Sequence, residues 1–146
     1  VLKRNKASAA ASELLYLQYA VAHDNDAAAL ARIASISKAY RDSAAGLAAL
    51  PVPQELAAAD LALVNAMMRV SEITADFARL NADSLATMLA LQQYVPAAQS
   101  LGKAFIAVDN VYAAAGITLS PGTPGASFLK ATAAIAAQQK ATIKTL

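Results

Sequence analysis

Between its few prolines this chain repeats apolar residues every three or four positions, and only a helix places residues so spaced on one side. The five prolines fall at Pro51, Pro53, Pro96, Pro121 and Pro124. Residues 3–22 set Leu14, Leu17 and Val21 on a stripe with Ala7 and Ala10. His23-Asp24-Asn25-Asp26 follows, a polar cluster in which Asp24 or Asn25 can N-cap a new helix. A turn is favoured there over one continuous helix. Residues 26–49 continue the pattern through Leu30, Ile33, Ile36, Tyr40, Ala44 and Leu47. Leu50-Pro51-Val52-Pro53 then forces extended backbone, since each proline moves the residue before it out of the α region.

The third segment, 54–80, is the most apolar. Leu56, Leu63, Met67, Val70 and Phe77 share one side, with Leu61, Val64 and Met68 beside them. An arc that wide predicts contact with more than one neighbour, hence a central helix. Asp83 is placed to N-cap a fourth helix over 84–115, led by Leu85, Met88, Leu89 and Val95 and continued by Leu101, Phe105, Val108 and Tyr112. Pro96 lies inside it and predicts a kink, because it removes one backbone hydrogen bond and crowds the carbonyl four residues back. Gly116 suits the C-terminal cap. Residues 118–126 form a Pro/Gly linker. A last helix over 127–144 is expected, with a thin apolar face of Phe128, Leu129, Ile135 and Ile143. It docks either on its own bundle or on a neighbouring molecule. The expectation is a single all-α domain over 1–146, an up-and-down bundle of four to five helices with helix 84–115 kinked at Pro96.

Composition sharpens this. Alanine supplies 40 of 146 residues, against 3 Phe, 5 Tyr and no Trp. Alanine favours helix and lets backbones approach closely, but buries little area per residue. With 12 basic and 10 acidic residues, a net charge of +2 and no basic strip interleaved with aromatics, nucleic acid is not an expected partner. The absence of cysteine removes disulfides, thiolate metal sites and cysteine nucleophiles. No stretch reads as a membrane span. Gln92, Gln93, Pro96 and Gln99 interrupt the uncharged run 84–102, and Pro and Gly break 110–129. The start at Val1, with Lys3, Arg4 and Lys6 close behind, fits either a removed leader or the trailing edge of a membrane helix. Any membrane attachment is therefore expected only through a removed or upstream segment.

No catalytic motif is visible. His23 is the only histidine, and a surface turn is its expected setting. Glu13, Glu55 and Glu72 have no histidine three residues on, which excludes a di-iron carboxylate site. Neither a nucleophile elbow nor a phosphate loop occurs. No enzyme activity, cofactor or metal is expected. Polar residues in register with the apolar stripes are the candidate site. Asp60 and Thr74 align with Leu63, Met67, Val70 and Phe77, while Asn65 sits between two stripes and Tyr94 lies near Pro96. They either fix helix register through hydrogen bonds or line a small polar pocket. The five tyrosines are expected to close the core.

Leu50-Pro51-Val52-Pro53, Asn65, Asp83-Ser84-Leu85-Ala86, Tyr94 and Gly116-Ile117-Thr118 occur here in a particular order. Across residues 50–128 that order resembles a group of uncharacterised bacterial helical proteins predicted to be exported. The resemblance implies an extracytoplasmic location, in the periplasm or at the cell surface, and carries no known activity to transfer. The expected function is a structural or interaction protein of the bacterial cell envelope, self-assembling through terminal helices, with protein partners and a homo-oligomeric state. The alternative is an extracytoplasmic bundle that senses or binds a small molecule.

Overall fold

The computed structural model describes residues 12–117, 120–123, 126–127 and 130. Four helices make up most of the described chain: α1 (Ser12–Ala22), α2 (Ala27–Ala48), α3 (Gln54–Ala78) and α4 (Ser84–Ala114). No strand occurs among the described residues. The helices run alternately up and down. α3 packs along both α2 and α4, as the breadth of its apolar arc predicts, while α1 lies chiefly on α2.

Side-chain chemistry sets the boundaries. α1 and α2 are separate helices. Asp24 and Asn25 adopt left-handed backbone (φ 51° and 59°), a conformation that Asn and Asp tolerate better than most residues. The cap of α2 falls to Asp26, not to Asp24 or Asn25. Its carboxylate accepts from the Ala29 N–H at 2.7 Å. Asp83 caps α4 as expected, accepting from the Ala86 N–H at 3.0 Å. α4 ends where Gly116 turns left-handed (φ 65°). The Gly116 N–H then donates to Ala113 O and the Ile117 N–H to Tyr112 O, satisfying carbonyls that the helix end leaves free. Pro121-Gly122 makes a turn closed by the Thr123 N–H on Ser120 O at 3.2 Å. α4 is one unbroken helix through Pro96.

Two apolar clusters form the core. The first joins Leu17 and Ala20 of α1, Leu30 and Ile33 of α2, Val70, Ile73 and Phe77 of α3, and Ala90, Tyr94 and Ala97 of α4. The second is built from three helices only, through Ala44, Leu56, Leu63, Met67, Ala104 and Val108. Tyr40 and Leu101 border both.

Two expected faces are turned from where apolarity alone places them. In α1 the buried line is Glu13, Leu17 and Ala20, and Val21 is exposed. In α4 the buried line is Thr87, Ala90, Tyr94 and Ala97, while Leu85, Met88, Leu89 and Val95 face outward. Small residues on the inner line let α4 lie close to α3, and that face wins because Tyr94 and Phe77 fill the gap with their rings, 5.5 Å apart. Leu61 of α3 is likewise exposed.

Candidate functional site

Three polar side chains from three helices meet where the two apolar clusters join. Glu13 sits one turn before Leu17 and is only 2 % exposed. The Tyr94 hydroxyl of α4 donates to Glu13 Oε1 at 2.7 Å, and the Tyr40 hydroxyl of α2 donates to the same oxygen at 3.4 Å. Burial raises the pKa of both phenols above the ordinary value near 10, and the adjoining Glu13 carboxylate raises each further. Both hydroxyls therefore stay protonated, and stay donors, throughout the physiological range.

A second buried polar pair lies between α2 and α3. The Ser37 hydroxyl donates to Ser71 O at 2.8 Å, and the Ser71 hydroxyl donates to Ser37 O at 2.9 Å. The exchange holds two backbones close at a point where larger side chains would force them apart. Thr74, one turn further along α3 and fully buried, has no hydrogen-bond partner for its Oγ1 among the described residues.

The four expected pocket residues do not gather at one place. Tyr94 is buried on Glu13 and against Phe77. Thr74 is buried one turn from Phe77 on the same helix. Asp60 is half-buried and Asn65 exposed in the opposite half of α3, with Asp60 about 21 Å from Thr74 at 1.5 Å per helical residue. Phe128, Leu129, Ile135 and Ile143 lie outside the described side chains. Glu13 was the residue that apolar patterning passed over. A signal for it existed in the three- and four-residue spacing of Glu13, Leu17 and Ala20, the period of a buried stripe.

Among the tyrosines, Tyr16 and Tyr19 are exposed and do not close the core. Tyr19 stacks on His23 with ring centroids 4.0 Å apart, and His23 Nδ1 lies 2.8 Å from Tyr19 O. His23 is thus the surface turn residue expected of it. No group of His, Asp and Glu able to hold a metal occurs among the described residues, and no described helix is long and apolar enough to cross a membrane. A shallow groove of about 390 Å³ runs between Ala34, Lys38, Arg41 and Asp42 of α2 and Ala75 and Ala78 of α3, with Lys38 and Asp42 paired at its rim.

The remaining surface feature is apolar. Leu15, Tyr16, Tyr19 and Val21 of α1 and Leu85, Met88, Leu89, Leu91 and Val95 of α4 are all substantially exposed. Isolated apolar residues on a surface are ordinary; groups on single helix faces mark contact sites. Comparison with protein-family models, curated proteins and solved structures finds no match.

Proposed function

We propose that this protein is a non-enzymatic interaction module, a structural component of the bacterial cell envelope or surface that works by associating with protein, its own copies included. The observation that carries this reading is the exposed apolar surface of α1 and α4. A helix such as α4 that turns Leu and Met outward while setting Thr87, Ala90 and Ala97 inward leaves apolar area that association can remove from water. Low charge supports the same reading, because 22 charged residues in 146 give little electrostatic resistance to association. The envelope location rests on the resemblance of residues 50–128 to exported bacterial proteins. A bend of α4 at Pro96, and a fifth helix over 127–144 that adds a further contact, belong to this proposal.

Light scattering on a sizing column, run across a concentration series, tests it. A mass that is a multiple of 15.0 kDa, or one that climbs with concentration, is expected. A mass fixed at the monomer value, together with no retention of the exposed surface on apolar resin, counts against it.

A second reading is a small-molecule-binding bundle. The unpartnered Thr74 hydroxyl and the carboxylate of Glu13 between two phenols favour it, since buried polar groups are the usual anchors of a ligand inside a bundle. A thermal-shift screen with small polar compounds separates the two, because a ligand that binds only the folded state raises the melting temperature.

A further inference from the structure

The run Ser84–Gly102 contains 19 residues and no charged side chain. Within it Leu85, Met88 and Val95 are 65 %, 62 % and 57 % exposed, and Leu89 is close behind. Gln92, Pro96 and Gln99 are exposed between and beyond them. Positions 85, 88, 92, 95 and 99 alternate steps of three and four, so they form one narrow line on the side of α4 opposite its buried face. That is the spacing of a helix-to-helix seam. We propose that this face of α4 docks against the same face of a second copy of the chain. The inference rests on the reading of the protein as an interaction module and names its surface.

Three observations select a second copy as the occupant. The first is charge. A face without a single ionic group offers nothing to a partner of opposite charge, and lacks the lysines and arginines by which an amphipathic helix holds an anionic membrane. The second is the chemistry of its polar members. Gln92 and Gln99 each carry both a donor and an acceptor, so a glutamine seam satisfies itself when it meets its own copy. Pro96 has no N–H to give to the Gln92 carbonyl, which leaves that carbonyl open to an amide from across the seam. A two-fold pairing, in which one surface meets itself, uses all of these groups twice. The third is extent. The line runs from Leu85 to Gln99, about 21 Å of helix at 1.5 Å per residue, and Leu85, Met88 and Val95 on it are each more than half exposed. The expected product is a dimer that forms with concentration and dissociates on dilution.

The chain has no cysteine, so a single introduced thiol reports on one position alone. Gln92→Cys places it at the middle of the seam, and Arg32→Cys places a control on exposed α2. Mild oxidation at tens of micromolar protein should give a covalent dimer with Gln92→Cys and little with the control, because a disulfide requires Cα atoms within about 7 Å. The companion variant Met88→Glu/Val95→Glu sets like charges face to face across the seam. Both positions are exposed, so its circular dichroism should match the parent, and its scattering mass should stay at the monomer value where the parent associates.

Each other outcome overturns the proposal in its own way. A parent that associates while Met88→Glu/Val95→Glu associates equally removes this face but leaves the interaction reading standing. If removing 127–146 abolishes association and the charged variant does not, the contact belongs to that segment. A parent that stays monomeric and sediments with phosphatidylcholine vesicles, with the charged variant left in solution, makes the face a lipid contact. A parent monomeric throughout, with no vesicle binding, ends both this inference and the self-association on which it rests.

Discussion

Replacing Glu13 tests how the four helices are tied together. α1 packs chiefly on α2 and only slightly on α3, and the Tyr94 hydroxyl ties it to α4 through Glu13 at 2.7 Å. A hydrogen bond to a charged group contributes about 1.5–3 kcal/mol net, and a buried hydroxyl stripped of its partner costs about 1–3 kcal/mol. Glu13→Ala leaves the Tyr94 hydroxyl unpaired and Tyr40 without its more distant partner, so the expected loss is about 3 kcal/mol. Tyr94→Phe removes the donor and leaves the carboxylate with the Tyr40 bond alone, for a loss of about 2 kcal/mol. The double variant should lose less than the sum, by about 1–3 kcal/mol, because the second change removes a group already orphaned by the first. Urea unfolding followed by circular dichroism gives all four corners of the cycle, with Glu13→Ala melting on the order of 10 °C below the parent. Hydrogen exchange should show the weakening first in α1, whose amides open without the rest of the bundle. Additive losses, or a Glu13→Ala loss under about 0.5 kcal/mol, would show that Glu13 stands in water and that α1 is not pinned to α4.

Two further outcomes follow from the same interior. Thr74→Val keeps the shape of a fully buried side chain and deletes a hydroxyl without a partner, so it should raise stability by about 1 kcal/mol in urea unfolding, and a loss of that size would show that the hydroxyl is satisfied. Tyr40 and Tyr94 have pKa values raised above the ordinary 10.0, so the unfolded chain releases those protons first as pH rises. The folded state then holds more protons, and the stability these groups contribute, level below about pH 9, falls from about pH 10 upward by roughly 1.4 kcal/mol per pH unit for each phenol. Denaturant midpoints between pH 8 and 11 measure the decline, Tyr94→Phe should make it shallower, and an unchanged slope in that variant would refute the assignment.

What the sequence makes legible is the part governed by local rules. Asp83 and Gly116 mark the ends of α4 because a capping carboxylate and a left-handed glycine act within a few residues of themselves. The apolar line of α3 is read correctly from Leu56 to Phe77, and so is its central position, because every buried residue on it except Ser71 and Thr74 is apolar. The faces of α1 and α4 are not legible in that way. Hydrophobic patterning selects Leu85, Met88, Leu89 and Val95 as the inner face of α4, whereas close approach to α3 selects Thr87, Ala90 and Ala97. The decision depends on Phe77 and Tyr94, two residues from different helices whose pairing is a property of the assembled bundle. Glu13 escapes notice for the same reason. A carboxylate is buried only when donors come to meet it, and its donors lie 27 and 81 residues away in the chain.

These two displaced faces have one physical cause. An alanine-lined interface draws helices together but removes little apolar area from water per residue, so the large side chains that would fill a wider core must stand elsewhere. In α2 and α3 they remain inside, because Ile33, Leu63, Met67, Val70 and Phe77 fill the space between the helices. In α1 and the first half of α4 most of them, Leu17 excepted, stand outside, and inner positions go to Glu13, Thr87, Ala90 and Tyr94; the polar atoms of Glu13, Thr87 and Tyr94 then require partners. The Glu13–Tyr94 bond and the Thr87 hydroxyl, which donates to Asp76 O at 2.8 Å, meet that requirement and fix the rotation of each helix about its axis. Once α4 is held in that rotation, Leu85, Met88 and Val95 cannot turn inward without breaking both bonds. The outward apolar line is thus a consequence of the same contacts that close the core, and a variant that frees Tyr94 should also blur the surface proposed for self-association.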